Sequence, residues 1–489
     1  MDLDPDSCYR ALRAKDRRFD GVFFVAVAST HVYCRPICPA RPVRREGCRF
    51  YRLAAEAERD GYRACLRCRP ELAPGNAPLD GPSRLVARAV KAIEAHAGEE
   101  ALDVEALSGR LGCSSRHLRR SMQAELGLSP IQLDQSRRLA LAKQLLHDST
   151  LSLAEIAFAS GFGSVRRFNA AFAQRCGMPP SRVRQGRERV RSDAFTLRLD
   201  HRPPLDWHAL LAFLAARAIP GVEQVQDGAY LRVVSLGGVR GWLSIQPFED
   251  KPHADRPQLR ASLSASLSPV VRPVVARLRR LFDLDAEPLR IADHLGADPA
   301  LRPFRMGLRV PGAFDGFELG VRAILGQQVS VRGASTLAGR IAQRFGDPFD
   351  SPCPGLTHSF PSVATLAATS EDALAQVGLP RARAATLRAF AVAVNNRALL
   401  LEPGVDVEET LEALQRVPGI GDWTAQYVAM RALGWPDAFP SSDLGLRKAL
   451  GGMGPKEILS RAEGWRPWRA YAAMQLWHSL GASPEGATR

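Results

Sequence analysis

Two closely spaced cysteine pairs constrain the front of this chain more than any other feature of its sequence. The pairs are Cys34 with Cys38 and Cys65 with Cys68, and 26 residues separate them. Each pair can present two thiolates to one ion, and four thiolates form the tetrahedral site that zinc favours. The alternative is a set of stray thiols. An odd total of nine cysteines argues against a disulfide framework. The spacing therefore predicts one zinc ion, both structural and thiolate-activating, in a small front domain.

The length and composition indicate a packed chain of several domains. At roughly 150 residues per domain, 489 residues suggest about three. Hydrophobic residues make up 46% and charged residues 24%, which excludes global disorder. No apolar run approaches the roughly 18 residues that a membrane helix requires. The first six residues are acidic and lack the basic start of a signal peptide. We therefore expect a cytoplasmic protein without a membrane partner.

Positive charge is concentrated in the front part of the chain. Residues 1–190 hold 32 Lys and Arg against 21 Asp and Glu, a net +11, whereas the remainder holds 34 against 30, a net +4. Nearly all of the front charge is Arg, whose guanidinium group pairs with phosphate at two points. The charge favours a nucleic-acid partner, with an ordinary soluble surface as the alternative.

Turn formers and polar runs divide the chain. Residues 74–82 and 185–193 read as linkers. Helical periodicity fills the segment between them, strand-like stretches follow residue 193, and amphipathic helices return from about residue 269. We expect a multidomain α+β protein: a small zinc domain, an all-α double helix-turn-helix, a small antiparallel β/α domain and an all-α domain. The expected boundaries are residues 1–75, 83–186, 194–277 and 278–489.

The sequence around the cysteines resembles that of a known family. The segments Val32-Tyr-Cys-Arg-Pro-Ile-Cys-Pro-Ala-Arg41 and Gly61-Tyr-Arg-Ala-Cys-Leu-Arg-Cys-Arg-Pro70 resemble the amino-terminal domain of the alkylation-response Ada proteins. The resemblance implies that all four cysteines bind zinc and that Cys34 accepts a methyl group irreversibly from a methylated DNA phosphate. Spacing alone does not identify the nucleophile.

Zinc thiolate chemistry suits such a role. A thiolate on zinc stays deprotonated and nucleophilic near neutral pH. Four thiolates around Zn²⁺ carry a net charge of about −2, and methylation of one lowers this to about −1. Repulsion from the DNA backbone should fall and DNA affinity should rise. Methyl transfer would then act as a switch.

Two helix-turn-helix units are predicted between residues 101 and 184. Each has a helix, a Gly turn and a second helix that starts at a serine, Ser114 or Ser164. The second unit resembles the signature of AraC-type regulators, which follow the zinc domain in Ada proteins. The recognition helices would expose Arg116, Arg119, Arg166 and Arg167 to double-stranded DNA. These arginines could read guanine edges or only hold phosphates. The resemblance implies that residues 83–186 activate transcription and that RNA polymerase is a further partner.

A helix-hairpin-helix is predicted near residue 420. Gly419 and Gly421 would permit the tight turn, and Asp422 would cap the next helix. Backbone N–H groups at that helix start can bind a DNA phosphate without sequence preference. A plain helix end is the alternative. A carboxylate, Asp443, follows 22 residues beyond Gly421 and just ahead of another helix.

From about residue 194 to the end, the chain resembles AlkA-type inducible 3-methyladenine DNA glycosylases. The likeness is carried by the hairpin, by Gly320-Val-Arg-Ala-Ile-Leu-Gly-Gln-Gln-Val-Ser330 and by Trp465-Arg-Pro-Trp-Arg469. It implies that Asp443 is the catalytic carboxylate of a base-excising enzyme. It places Phe213, Trp423, Tyr427 and Trp468 around an alkylated base, and Gly419, Gly421, Thr424 and Gln328 against DNA.

Three local features refine the expected chemistry. Glycosylases of this superfamily that nick the strand carry a Lys where this chain has Trp423, so we expect hydrolysis alone. Gln328 occupies the position of an apolar wedge, and Leu444 follows Asp443 where the compared relative has Tyr. The sequence lacks the Pro-Cys-His-Arg motif of a second methyltransferase domain, since the residues around Cys353 include no such His.

The sequence therefore predicts a monomer that joins a methylation sensor and transcription activator to a monofunctional DNA glycosylase for bases of the 3-methyladenine and 7-methylguanine type. The alternative is that one half alone works, most simply as a regulator whose back half is a DNA-binding remnant.

Overall fold

A computed structural model describes residues 4–74, 84–94, 102–184, 193–248 and 257–481. Most of both expected linkers lies outside these ranges. The chain separates into two compact units: the first comprises residues 1–203 and 236–276, the second residues 204–235 and 277–489. Across the described ranges, no helix is both long and apolar enough to cross a membrane.

The zinc segment is a small sheet flanked by two helices. Its elements are α1 (Pro5–Ala14), β1 (Phe24–Val27), β2 (Val32–Cys34), β3 (Cys48–Tyr51), α2 (Ala54–Arg59) and β4 (Arg63–Ala64). The strand order is β3-β1-β2-β4. β1 pairs antiparallel with β2 and β3, whereas β2 pairs parallel with β4. The second strand ends on Cys34, so the sheet positions the first cysteine.

Seven helices follow in the first unit. They are α3 (Arg84–Glu94), α4 (Val104–Arg110), α5 (Ser115–Leu126), α6 (Pro130–Asp148), α7 (Leu153–Ala159), α8 (Val165–Cys176) and α9 (Pro180–Val183). The pairs α4–α5 and α7–α8 form the two expected helix-turn-helix units. Phe168 and Phe172 are buried, and the Phe162 ring contacts Phe168. Phe168 and Phe172 therefore belong to the core, and the partly buried Phe162 packs against it.

The strand-rich segment contributes to both units. Its elements are β5 (Ala194–Asp200), α10 (Trp207–Ala215), β6 (Glu223–Gln226), β7 (Ala229–Leu236), β8 (Val239–Phe248) and β9 (Gln258–Ser264). In the first unit, β9 pairs antiparallel with β5 and β8. In the second, β6 and β7 form an antiparallel pair. The three strand-like stretches predicted from sequence lie in β5, β7 and β8.

The second unit is otherwise helical. Its helices, the first of which begins within the other unit, are α11 (Val271–Leu281), α12 (Pro288–Leu295), α13 (Gly316–Leu325), α14 (Val331–Phe345), α15 (Val363–Ala368), α16 (Glu371–Ala375), α17 (Arg381–Asn395), α18 (Val407–Gln415), α19 (Asp422–Arg431), α20 (Leu444–Ala449), α21 (Pro455–Ala462) and α22 (Arg469–Gly481). Helices α13 and α17 approach closely, since a Cβ on Gly320 would lie 2.2 Å from the Phe390 ring. This contact supports α19, which packs on α13.

Buried ion pairs join the parts of the first unit. Asp148, at the end of α6, accepts hydrogen bonds from Arg69 of the zinc segment at 2.8 Å and from the backbone N–H of Arg198 in β5 at 3.2 Å. Lys143 of α6 pairs with Glu58 of α2 at 3.3 Å. Breaking one partner of such a buried pair costs about 3–5 kcal/mol because the other charge stays buried. The polar side of α6 is therefore an interface and not a solvated face.

Candidate metal centre and base-excision site

Four cysteine sulfur atoms form one cluster in the amino-terminal part of the first unit. The Sγ atoms of Cys34, Cys38, Cys65 and Cys68 lie within 4.8 Å of one another, and all four residues are buried. A tetrahedral zinc site with Zn–S bonds of about 2.3 Å requires sulfur atoms about 3.8 Å apart, so this donor set fits zinc. A hydrogen bond from the Cys34 thiol lowers the pKa of the Cys38 thiol to about 7.

Exposure does not single out one cysteine as the nucleophile. Cys34 is 8% exposed and Cys65 is 9% exposed, compared with 4% for Cys38 and 0% for Cys68. Cys34 and Cys65 are therefore equally exposed, and both are buried. The assignment of Cys34 stays a prediction that rests on the family resemblance.

Arg35, which sequence reasoning did not identify, is hydrogen-bonded to the cysteine cluster. Its backbone N–H donates to Cys68 Sγ at 3.4 Å, and its guanidinium group pairs with Asp20 and Asp200. Burial opposes the charge of Arg35, but these two carboxylates outweigh it and raise its pKa. The residue after Cys34 is thus fixed to both the zinc segment and β5.

Both predicted recognition helices start where the serines indicated. The Ser114 side chain accepts from His117 N at 3.2 Å, and the Ser164 side chain accepts from Arg167 N at 3.2 Å. These are N-caps, which satisfy N–H groups that the helix leaves open. The predicted DNA-contacting arginines Arg116, Arg119, Arg166 and Arg167 are all exposed. Their DNA contacts remain predictions.

The hairpin between α18 and α19 departs from the predicted roles in two respects. The N-cap of α19 is Gly421 and not Asp422, which is the first helical residue. Gly421 has φ −94°, which any residue can adopt, so the turn does not require glycine there. Gly419 is the constrained position, with φ +85°. Among the described residues no side chain caps α19, which leaves its first N–H groups for another acceptor.

We expect Gly419→Ala to lower the free energy of unfolding by about 1–3 kcal/mol and Gly421→Ala to leave it nearly unchanged. A Cβ on Gly419 would lie 2.1 Å from Thr386 Oγ1 at a strained φ, whereas a Cβ on Gly421 meets nothing within 4 Å. Chemical denaturation of the two variants provides this comparison. Equal stability of both variants would contradict the assigned geometry.

Asp443 lies at the start of α20 with both carboxylate oxygens bound. Trp423 Nε1 donates to Oδ2 at 2.8 Å, and Trp477 Nε1 donates to Oδ1 at 2.9 Å. The backbone N–H of Leu446 also donates to Oδ1, at 3.0 Å, so Asp443 is the N-cap of α20. Two indoles from different helices therefore set the orientation of the carboxylate.

Aromatic rings gather beside this carboxylate. The Trp423 and Tyr427 rings stack at 5.3 Å and 9°, and the Tyr427 and Trp477 rings lie 6.4 Å apart. The Arg431 guanidinium group lies over both Tyr427 and Phe213, at 5.4 and 5.0 Å. Phe213 thus reaches the cluster from α10. All four aromatic residues and Asp443 are partly exposed, as the lining of an open pocket must be.

Trp468 differs from the other predicted pocket residues. It is 2% exposed, and its ring packs edge-on against Tyr471. Trp477, which sequence reasoning missed, contacts both Asp443 and Tyr427. No local pattern marked Trp477, because both of its contacts join residues that lie far apart in the sequence. A pocket role for Trp468 remains a prediction that this burial does not support.

The loop before α14, which contains the predicted wedge residue Gln328, is hydrogen-bonded to the hairpin through Gln327. Gln327 Nε2 donates to Gly419 O at 2.9 Å and to Thr424 Oγ1 at 3.1 Å. Thr424, predicted to contact DNA, is 2% exposed, so its side chain serves this internal contact instead. Gln328 is exposed with φ +55°, and Leu444 is 76% exposed. Both residues, at which the chain departs from the family pattern, therefore lie at the surface of the second unit.

Four family models match successive segments of the chain. Residues 7–71 match the metal binding domain of Ada, and residues 107–186 match a helix-turn-helix domain. Residues 196–315 match the AlkA N-terminal domain, and residues 321–462 match the HhH-GPD superfamily of base excision DNA repair proteins. Fold and site thus define a DNA-binding protein in which an Ada-type zinc domain and a helix-turn-helix domain precede a helix-hairpin-helix base-excision domain.

One similar relative matches nearly the whole chain, and two others match one part of it. The chain is 40% identical to a "Probable bifunctional transcriptional activator/DNA repair enzyme AlkA" of Mycobacterium tuberculosis, over 98% of the chain and 97% of the relative. The chain belongs to this family of bifunctional activator and repair proteins. It is also 40% identical to "DNA-3-methyladenine glycosylase 2" of Escherichia coli, over 59% of the chain and 99% of that protein. Identity to the E. coli activator/repair enzyme Ada is 30%, over 38% of the chain and 51% of that protein.

Proposed function

We propose that the second unit hydrolyses the N-glycosidic bond of alkylated purines of the 3-methyladenine and 7-methylguanine type in DNA. The arrangement of Asp443 carries the proposal: a partly exposed carboxylate is held by two indole N–H groups beside stacked aromatic rings. Such a purine is positively charged and binds electron-rich ring faces better than a normal base does. The target nucleotide must leave the base stack to reach this pocket.

Asp443 is the group that faces the reacting sugar in this proposal. As the C–N bond to the base breaks, the sugar gains positive charge, which a fixed carboxylate stabilises without reorganisation. The same carboxylate can direct the attacking water, whose oxygen forms the new bond to the sugar carbon and whose proton passes through Asp443 to solvent, while the alkylated base leaves as a neutral molecule. The N–H groups at the start of α19 would bind a DNA phosphate. Exposed Gln328 would enter the gap left by the flipped base, less effectively than an apolar wedge.

We expect hydrolysis without strand cleavage, because the position at which strand-cleaving relatives would carry a lysine that forms a Schiff base holds Trp423. The Trp423 indole is hydrogen-bonded to Asp443. The test is base release from DNA that contains N3-methyladenine, with strand scission measured before and after hot alkali. Release with breaks that appear only after alkali supports the proposal. Breaks without alkali would contradict it, and an absence of release would leave the second unit as a DNA-binding module.

Trp477→Phe should lower the rate of base release by about tenfold or more while the substrate affinity changes little. Phenylalanine retains a ring against Tyr427 but removes the N–H group that binds Asp443 Oδ1, so the carboxylate loses one of its two indole restraints. Single-turnover release measures the effect. Trp242→Phe, on β8 of the first unit, is the matched control. A native rate in Trp477→Phe would refute the positioning role.

For the first unit we propose that Cys34 accepts a methyl group from methylphosphotriesters in DNA. The Cys34 sulfur forms a bond to the methyl carbon as the bond between that carbon and the phosphate oxygen breaks, which restores a charged phosphodiester. A bound zinc ion would keep the cluster thiolates deprotonated. The buried four-sulfur cluster supports this role. Cys65→Ser and Cys68→Ser should each lower zinc content well below one ion per chain.

The methylated first unit would then activate transcription of alkylation-repair genes. The loss of one negative charge from the cluster weakens repulsion from DNA, and the exposed arginines of α5 and α8 supply contacts to an operator. We further propose a cytoplasmic monomer that contacts RNA polymerase at the promoter. The rival proposal, a regulator with an inactive second unit, predicts methyl acceptance without base release.

A further inference from the structure

Two arginines converge on the phenol group of Tyr427. Arg431 Nη1 donates to the Tyr427 hydroxyl oxygen at 2.6 Å, and the rest of its guanidinium group is bound by the backbone oxygens of Pro311 and Gly312. Arg217 lies over the Phe213 ring at 3.7 Å, and its charge also acts on Tyr427. Tyr427 thus stands in an unusually cationic part of the aromatic cluster.

These two arginines differ from their neighbour Arg322 in how their charge is balanced. Arg322 of α13 pairs with Glu223 at 2.7 Å and with Glu318 at 3.6 Å. Among the residues that the structure describes, no carboxylate forms a salt bridge with Arg431 or Arg217. The Tyr427 oxygen is therefore the group best placed to supply negative charge between them.

The acidity of the phenol follows from this placement. Removal from water raises the pKa of Tyr427, but Arg431, Arg217 and Arg322 outweigh that effect and lower its pKa to about 8. The opposite holds elsewhere in the chain, since burial raises the pKa of Tyr33, Tyr51, Tyr230 and Tyr471. Ordinary tyrosine ionises near pH 10.

We propose that the Tyr427 hydroxyl, bound by Arg431 and facing Arg217, gives up its proton to solvent within the working range of the site, and that the phenolate makes the pocket select positively charged alkylated bases over neutral ones. The inference rests on the proposed glycosylase function and specifies its substrate class. Tyr427 is then a specificity-determining residue in addition to an aromatic surface.

The physical basis is the charge that a base meets on entry. With a neutral phenol, the two unpaired guanidinium groups oppose a cationic base. The phenolate offsets one of these charges and makes the ring face more electron-rich, which strengthens its attraction for a cation. A neutral base gains little from either change. Ionisation should therefore widen the difference between the two substrate classes.

The other charged groups around Tyr427 do not produce the same pH dependence. Glu223 and Glu318 form ion pairs with Arg322 and Arg232. Burial lowers the pKa of His478, which follows Trp477 and contacts Arg305, so it stays neutral above pH 7. Asp443 remains bound to the two indoles, and any contribution from it persists in a Tyr427→Phe protein.

The test compares single-turnover release of 3-methyladenine, a cationic base, with release of 1,N6-ethenoadenine, which has no acidic N–H and stays neutral, from about pH 7 to pH 9. The native protein should increase the ratio of the two rates by about tenfold across this window, because Tyr427 is largely protonated at its lower end and largely ionised at its upper end. Tyr427→Phe keeps the ring but cannot ionise, and its ratio should stay flat. Near-ultraviolet tyrosinate absorbance of the native protein should show one tyrosine titrating near pH 8.

The outcomes separate this inference from the proposed function. Release of 3-methyladenine with a ratio that does not change with pH would overturn the inference and leave the glycosylase intact. The same rise in Tyr427→Phe would assign the pH dependence to another group and also overturn it. The absence of any base release would refute the proposed function, and the absorbance titration, compared between the native protein and Tyr427→Phe, then tests the early ionisation of Tyr427 by itself. A missing early step in the native protein overturns the inference.

Discussion

Replacement of Asp443 by Asn should reduce base release by about 10³-fold while the fold and DNA binding persist. Asparagine retains one carbonyl oxygen that can accept from Leu446 N, so the N-cap of α20 survives. It loses the negative charge that would stabilise the sugar cation, and it offers an N–H₂ group where Trp423 or Trp477 now donates. Single-turnover release of 3-methyladenine measures the loss.

Asp372→Asn is the matched control, because Asp372 is an exposed carboxylate on α16 of the same unit. It should release base at the native rate. Unfolding midpoints and affinity for abasic-site DNA should agree among the native protein and both variants. If Asp443→Asn retained more than about a tenth of the native rate, the carboxylate would not be the catalytic group.

Replacement of Cys34 by Ala should abolish methyl acceptance from methylphosphotriester DNA, because the reaction is stoichiometric and its sulfur nucleophile is gone. Release of 3-methyladenine by the same protein should stay native, since Asp443 and its indoles lie in the other unit. The readout is the transfer of an isotopically labelled methyl group from DNA to protein.

Cys353→Ala removes a partly exposed thiol outside the cluster and should accept methyl groups normally. Transfer that persists in Cys34→Ala would assign the nucleophile to another sulfur, with Cys65 the foremost candidate because it is equally exposed. Loss of both activities in Cys34→Ala would indicate global unfolding, and Cys34→Ser then tests the nucleophile with a side chain of similar size.

Short-range patterns in this sequence were reliable guides to structure. The spacing of the two cysteine pairs predicted a cluster that the structure brings within 4.8 Å. Ser114 and Ser164 marked two helix starts because a serine hydroxyl bonds the open N–H groups three residues later. The helix caps depend on neighbouring residues alone, and each cysteine pair is a short motif whose chemistry calls for a second pair, so the sequence reveals both.

Features that depend on distant residues were not predicted. The Trp477 contact with Asp443 joins α22 to the start of α20, and the pattern of α22 does not show that Trp477 faces the carboxylate. Polar residues on α6 are buried by partners far along the chain, such as Glu58 and Arg272. The prediction that the turn needs both hairpin glycines was only half right, since Gly419 has a positive φ and Gly421 does not.

We propose that one chain both senses and excises alkylation damage. A single incubation of the native protein with methylated DNA tests this, when released bases are separated by chromatography and the modified peptide of the protein is identified by mass spectrometry. We expect free 3-methyladenine together with one added methyl group on the peptide that contains Cys34. Free base with an unmodified Cys34, or a methylated Cys34 without free base, would contradict the claim.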